Sequence, residues 1–153
     1  MTAPGLHRLT APISTGGITG KTLPYSPTWT TVNNDLAPTN GGTGGVTGKY
    51  CLVGDLVFFT VTLVFTNVAN FGTGQYTLTL PYAPSHNCAF RQGGLHGNSV
   101  HYPLMLDIDA GSTIGDLWYV RSNGHDEPWT KTDPHTLTTS DFAYISGMYL
   151  RQH

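Results

Sequence analysis

A ten-residue run in which apolar side chains recur at every second position constrains the fold more than any other feature of the sequence. Residues 56–65 read L-V-F-F-T-V-T-L-V-F; in the second half Val61, Leu63 and Phe65 share one face, and two threonines and Val64 share the other. This period of two is that of a β-strand, whose successive side chains point to opposite sides of the sheet. The first half is apolar on both faces, which predicts cover on both sides, by a second sheet and a neighbouring subunit.

Shorter segments with strand-like composition follow along the chain, separated by turns that contain Gly, Pro or Asn. No segment combines the 3.6-residue period of a helix with capping residues. Together these observations predict an all-β protein, a single antiparallel β-sandwich of jelly-roll-like type, over residues 25–153. After a short segment near Trp29, the predicted strands are residues 46–53, 56–65, 75–80, 88–91, 99–108, 114–120 and 142–150.

Residues 1–24 show no usable period and are rich in Pro, Gly and Thr. Such a segment cannot form a core of its own, yet it carries an apolar residue every few positions. We therefore predict an extended N-terminal arm that becomes ordered on a neighbouring protein; the alternative is a frayed terminus. The apolar residues through which this arm would bind are Leu6, Leu9, Ile13, Ile18 and Leu23.

The low content of ionic groups restricts the partners of this chain. Charged residues make up only 10% of the 153 residues, against roughly 25% in a typical soluble domain. The few Lys and Arg residues are scattered, which argues against nucleic-acid binding, because that requires clustered cations. A surface of hydroxyl and amide groups resists self-association poorly, so we expect much of it to touch other protein. The alternative is a neutral, threonine-rich extracellular sandwich.

The N-terminus lacks the basic segment followed by an apolar segment that marks a signal peptide. No apolar run approaches the ~20 residues that a membrane helix needs. We therefore expect synthesis in the cytoplasm and no membrane partner.

Two pairs of acidic residues are candidates for chemistry. Asp107 and Asp109 have i, i+2 spacing, so a strand would aim both carboxylates the same way, which suits a divalent cation or acid–base catalysis. The alternative is an exposed strand end. Asp126 and Glu127 adjoin in a proline-containing loop without the arrangement of a glycosidase. The sequence contains no nucleophile elbow or phosphate-binding loop, so no enzyme activity is predicted.

Histidine and cysteine residues show no spacing typical of a metal site. His86, His96 and His101 are the nearest together, but no two of them are separated by one residue, the spacing that places two ligands on one strand face. We therefore predict surface or loop histidines. Cys51 and Cys88 are too few for a disulfide framework, so two free buried thiols are expected. No cofactor or metal is predicted.

Aromatic residues are the remaining candidates for binding. Trp129 lies in a polar loop, residues 125–130, which favours a contact with another subunit or with a glycan, or a local lid on the sandwich. Trp118 lies inside a predicted strand, and we expect it in the core.

Four motifs in the right order resemble a β module found in virion proteins of phages of actinobacteria. They are Y-S-P-T-W-T at residues 25–30, G-K-Y-C-L-V-G-D-L-V at 48–57, F-G-T-G-Q-Y-T-L-T-L-P at 71–81, and S-D-F-A-Y-I-S-G-M-Y at 140–149. The module's closing motif begins with Gly where this chain has Ser140, so that turn can differ in shape. The resemblance covers residues 25 to about 150 and leaves the arm outside.

The resemblance implies a virion structural protein with a β-sandwich that tends to trimerise and no catalytic residues. We accordingly expect a homotrimeric capsid decoration (cement) protein on the head surface, made in the host cytoplasm, whose arm binds the major capsid protein. An arm of this length would reach ~80 Å when extended. The alternative is a tail or fibre module, associated with tail proteins, that recognises a host cell-surface glycan.

Overall fold

The structure is a computed structural model that describes residues 20–35, 37–38 and 45–153. Leu6, Leu9, Ile13 and Ile18, through which the predicted arm would bind, lie outside the described residues. Leu23 lies within them.

The described residues form an all-β protein whose only helical element is a single 3₁₀ turn, Phe65–Asn67. The predicted fold class is therefore confirmed. The strands are β1 (Thr22–Tyr25), β2 (Trp29–Thr31), β3 (Ala37–Pro38), β4 (Val46–Val53), β5 (Leu56–Val64), β6 (Val68–Asn70), β7 (Tyr76–Thr79), β8 (Cys88–Gly97), β9 (Val100–Ile108), β10 (Ile114–Val120), β11 (Asp126–Pro128) and β12 (Phe142–Leu150).

Ten of these strands form one continuous antiparallel sheet in the order β1-β4-β5-β12-β8-β9-β10-β7-β2, with β11 beside β10. Strands β3 and β6 form a separate two-stranded ribbon. Every pairing in the main sheet is antiparallel, as hairpins and returning strands require.

The main sheet curls over its own core. Trp29 belongs to β2, at one end of the strand order, yet its ring stacks on Phe65, which directly follows β5, with centroids 4.9 Å apart. Strands that are distant in the strand order therefore face each other across one hydrophobic core. In a sandwich, two separate sheets pack against each other. Here the two packed halves belong to one curled sheet.

The sequence predicts alternation in the second half of β5, and the structure shows buried and outward residues alternating along the whole strand. Val57, Phe59, Val61 and Leu63 are buried, whereas Phe58 and the other residues between them point outward and are exposed. The inner face is covered by the curled sheet. Within the described residues nothing covers the outer face, although the apolar first half of the strand predicts such cover.

Strand β1 is an edge strand of the sheet and pairs with β4, with Leu23 opposite Tyr50. Leu23 is half-buried there. Residues 22–24 were assigned to the arm on sequence grounds, and the structure places them in this strand.

Candidate functional site

The outward side of β5 and β12 carries six large apolar side chains that are 37–56% exposed. The sheet register sets Phe58 opposite Met148 and Val64 opposite Phe142, with Thr60 and Ser146 between these two pairs. We call these six residues the apolar face: Phe58, Val64, Phe142, Tyr144, Met148 and Leu150.

The apolar face contains no ionic group. The remaining outward positions of β5 and β12 hold Leu56 and three hydroxyl residues, Thr60, Thr62 and Ser146. Isolated exposed apolar residues are ordinary, whereas a contiguous patch marks a surface that binds something. Depletion of charge at the centre is also typical of protein interfaces. This face is therefore the candidate binding surface of the protein.

A groove of about 590 Å³ crosses the same side of the sheet between β4, β5, β12 and β8. Phe58 and Met148 line it together with Cys51. A β-bulge in β8 between Phe90 and Gly93 interrupts the pairing with β9, and the bulged residues Arg91 and Gln92 line the groove on that side. The groove is thus continuous with the apolar face.

At the other end of the apolar face, a tight hairpin brings two histidines together. Strands β8 and β9 are joined by Asn98 and Ser99 alone, whose φ angles of 50° and 63° are those of a type I′ turn. This turn sets His96 directly opposite His101. Their ring centroids are 4.5 Å apart. We call these two residues the histidine pair.

The histidine pair is held by rings of the apolar face. The imidazole of His96 stacks on Phe142, with centroids 4.5 Å apart and planes 8° apart. Nε2 of His101 lies 3.3 Å from the hydroxyl of Tyr144. A side chain at Gly94 would collide with the His101 ring, so glycine is needed there for the ring to occupy its place.

The prediction of surface or loop histidines agrees with the exposure of His101 and the partial exposure of His96, although both residues lie in strands. The search for i, i+2 spacing considers one strand at a time and misses pairs that face each other across a hairpin. The signal was present as H-G-N-S-V-H, residues 96–101, in which a two-residue turn separates two flanking pairs. Glycines in residues 93–97 concealed it, because glycine weakens the prediction of a strand.

The acidic residues form no ligand set. Asp107 is exposed on β9 opposite Asp116, and Asp109 follows the end of the strand. Desolvation raises the pKa of the Asp116 carboxyl, and the like charges of Asp107 and Asp109 raise it further. In the part of the chain that the structure describes, no three His, Cys, Asp or Glu side chains are arranged to hold a metal ion.

The second acidic pair is engaged in ion pairs. Asp126 accepts two hydrogen bonds from Arg91, at 2.7 and 3.2 Å. Glu127 lies 3.8 Å from Arg121. The two carboxylates therefore have separate cationic partners.

Both thiols are free and half-buried, so the prediction of unpaired cysteines is confirmed, although they are less buried than expected. Burial raises the pKa of the Cys88 thiol, and the charge of Asp107 raises it further. A raised pKa lowers the thiolate fraction and with it the reactivity.

The predicted contact of Trp129 with a glycan or a subunit is wrong, because its side chain is 0% exposed. Its indole lies in the core against Tyr76 and Trp29, with ring centroids 5.0 and 6.2 Å apart. The backbone is fixed as well: its N–H donates to the carbonyl of Leu117 (3.0 Å), and its carbonyl accepts from Tyr76 (2.9 Å). Of the alternatives, packing on its own domain agrees with the structure.

Together these features define a class: an all-β protein with one curled antiparallel sheet that presents an apolar face and an aromatic histidine pair. No protein-family model, curated protein or solved structure matches the chain. In the described ranges, no helix has the length and apolar character needed to cross a membrane. The resemblance to the virion module stays a prediction.

Proposed function

We propose that the protein is a bacteriophage virion structural protein, a homotrimeric capsid decoration protein that acts by association at the head surface. The observation that carries the proposal is the uncovered apolar face of β5 and β12. The motif resemblance and the low content of charged residues support the same assignment.

The apolar face is large enough to contribute substantially to association. Six large side chains that are each about half exposed offer on the order of 500 Å², given roughly 200 Å² for a whole large side chain. At ~25 cal/mol per Å² their burial contributes about 12 kcal/mol before the costs of association are subtracted. An interface of standard size buries ~800 Å² on each partner, so this face supplies more than half of one.

The arm is the proposed contact with the major capsid protein. Of its predicted binding residues, Leu23 lies in β1, the edge strand at one end of the strand order, and the other four precede that strand in the sequence. Extended segments commonly bind by adding a strand to a neighbouring sheet.

Charge placed on the apolar face tests the homo-oligomer. The double variant Phe58→Lys/Met148→Lys puts two cations opposite each other on β5 and β12, and we expect it to be monomeric by light scattering where the unaltered protein is trimeric. Ile114→Lys is the matched control, because Ile114 is 57% exposed on β10, outside the face. An unaltered protein that is monomeric at tens of micromolar, or a double variant that stays trimeric, would refute this role for the face.

Binding to particles tests the location. Immunogold labelling of intact virions should place the protein on the head, and deletion of residues 1–19 should abolish binding to capsids that lack it. Label confined to the tail, or wild-type affinity after the deletion, contradicts the assignment to the head or the role of the arm, respectively.

A second candidate function, a tail or fibre module that binds host glycan, is favoured by one observation. The exposed rings of Phe142 and Tyr144, each about 40% exposed, lie beside the histidine pair and form a platform of the kind on which sugar rings stack. This candidate predicts saturable binding to host cell-wall fractions that Tyr144→Ala weakens and Ile114→Ala leaves unchanged. Binding that is equal for all three proteins would eliminate the platform as the glycan site.

A further inference from the structure

We propose that the histidine pair is a chelating site for a divalent late transition-metal ion. The proposal concerns a ligand that the role in the virion does not require, and it stands or falls independently of that role.

The distance between the two imidazole rings supports binding of a single metal ion. Two imidazoles that bind one metal ion at the usual metal–nitrogen distance of about 2.1 Å have ring centroids about 4.6 Å apart when the N–metal–N angle is 90° and about 5.3 Å apart when it is tetrahedral. The centroids of His96 and His101 are 4.5 Å apart, with their planes inclined by 59°. The ring separation therefore matches that of two neighbouring ligands at a 90° angle, as in octahedral or square-planar coordination.

Both rings are also positioned in advance of binding. The tight turn fixes the two strands, Phe142 stacks on one imidazole, and Tyr144 contacts Nε2 of the other at 3.3 Å. In the tautomer whose Nε2–H donates to the hydroxyl of Tyr144, Nδ1 of His101 carries the lone pair that a metal ion needs. Metal-binding histidines usually have such a second partner, which orients the ring.

The ligand set defines the class of metal. Imidazole nitrogen suits Zn²⁺, Cu²⁺ and Ni²⁺, whereas Mg²⁺ and Ca²⁺ prefer oxygen ligands. The described residues bring no third His, Cys, Asp or Glu into such a group, so water would fill the other positions. The site is accordingly a surface chelate and differs from a structural zinc site, which is closed by four protein ligands.

Isothermal titration of the full-length protein with nickel chloride, in a buffer that does not bind metal, tests the site. Nickel is the suitable probe because Cu²⁺ would oxidise the free thiols. We expect one ion per chain, with affinity reduced about tenfold or more by His96→Asn and by His101→Asn. His125→Asn is the matched control, an exposed histidine in a loop distant in sequence, and should bind as the unaltered protein does.

A variant that keeps both histidines but moves one ring tests whether nickel binding depends on the positions of the two rings. Gly94→Ala displaces the His101 ring and should weaken nickel binding several-fold, while the thermal melt shows that the protein is folded. The proposal is overturned if the double variant His96→Asn/His101→Asn binds nickel as tightly as the unaltered protein. It is equally overturned if the unaltered protein takes up no nickel at millimolar concentration.

Discussion

At the scale of single residues, one carboxylate organises the region around the end of β2. Asp35 accepts hydrogen bonds from the hydroxyl of Thr31 (2.6 Å) and from both the backbone N–H (2.8 Å) and the hydroxyl (2.6 Å) of Thr73. These bonds, that of Thr31 first, lower the pKa of Asp35 to about 2. Asp35 thus joins the turn after β2 to the turn before β7.

The lowered pKa predicts how stability depends on pH. A carboxyl whose pKa is lower in the folded state adds stability above its unfolded value near 3.8, and this stability is lost as pH falls toward 2. We therefore expect Asp35→Asn to lower the melting temperature at pH 7 and to have a much smaller effect at pH 2. The measurement is thermal unfolding followed by circular dichroism.

Asp109→Asn is the control for this experiment, because Asp109 is exposed beyond the end of β9. If Asp35→Asn lowers the melting temperature by the same amount at pH 7 and pH 2, the hydrogen bonds to the charged carboxylate are not the cause of the lower stability.

At the scale of elements, a glycine allows the backbone of β12 to lie close to two aromatic rings of the core. Gly147 lies opposite Phe59 in the register of β12 and β5, on the inward side of the sheet. A side chain there would collide with the ring of Phe90 and come within 2.7 Å of Phe59. The edge-to-face contact of these two rings, 5.1 Å between centroids, occupies the space that the glycine leaves.

Gly147→Ala should therefore destabilise the fold. Overpacking of a core by one methyl group costs about 1–3 kcal/mol when the neighbours are rings that cannot easily move. The measurement is the free energy of unfolding in urea, with Thr60→Ala on the exposed side of β5 as the control. Equal stability of Gly147→Ala and the unaltered protein would show that Phe59 and Phe90 have room to yield.

The sequence predicted the elements better than it predicted their environment. Strands β4, β10 and β12 have the predicted bounds, because turn residues delimit each of them. The two tryptophans were misassigned: Trp118 is half-exposed on the outward side of β10, and Trp129 is buried. A strand has two faces, so the position of Trp118 in a strand does not decide whether its side chain is buried. The polar composition of the loop around Trp129 does not reveal that this loop packs against the sheet.

The candidate site was the least predictable part of the molecule. Phe142, Tyr144 and Met148 are spaced at even intervals along the sequence, as residues on one face of a strand are, but this spacing alone does not state which side faces the core. The structure decides this through Ala143, Ile145 and Tyr149, which occupy the inward positions of β12 and are buried. The histidine pair depends in addition on the pairing of β8 with β9.

At the scale of the whole molecule, one core unites the sheet. The three tryptophans lie in one part of the sheet, Trp29 in β2, Trp118 in β10 and Trp129 directly after β11, and Trp29 and Trp129 belong to the core. Strand β5, several positions away in the strand order, contributes buried residues to the same hydrophobic cluster. A substitution that loosens the packing around β5 should therefore also alter the surroundings of the tryptophans in this cluster.

We accordingly expect unfolding in one cooperative step. Tryptophan fluorescence, which reports on the part of the sheet near β2 and β10, and circular dichroism, which reports on all strands, should give coincident transitions. Gly147→Ala should shift both curves by the same amount. Two separated transitions would show that the parts of the sheet on either side of β12 unfold independently.

The position of β12 also has a consequence for synthesis. Among the described strands this one comes last in chain order, yet it lies in the interior of the sheet and is the strand that joins β5 to β8. A nascent chain cannot join the two parts until residues 142–150 have left the exit tunnel of the ribosome. Until then β5 and β8 each expose an unpaired edge, a state prone to aggregation. The unpaired edges of β5 and β8 therefore persist during synthesis until β12 has emerged from the ribosome.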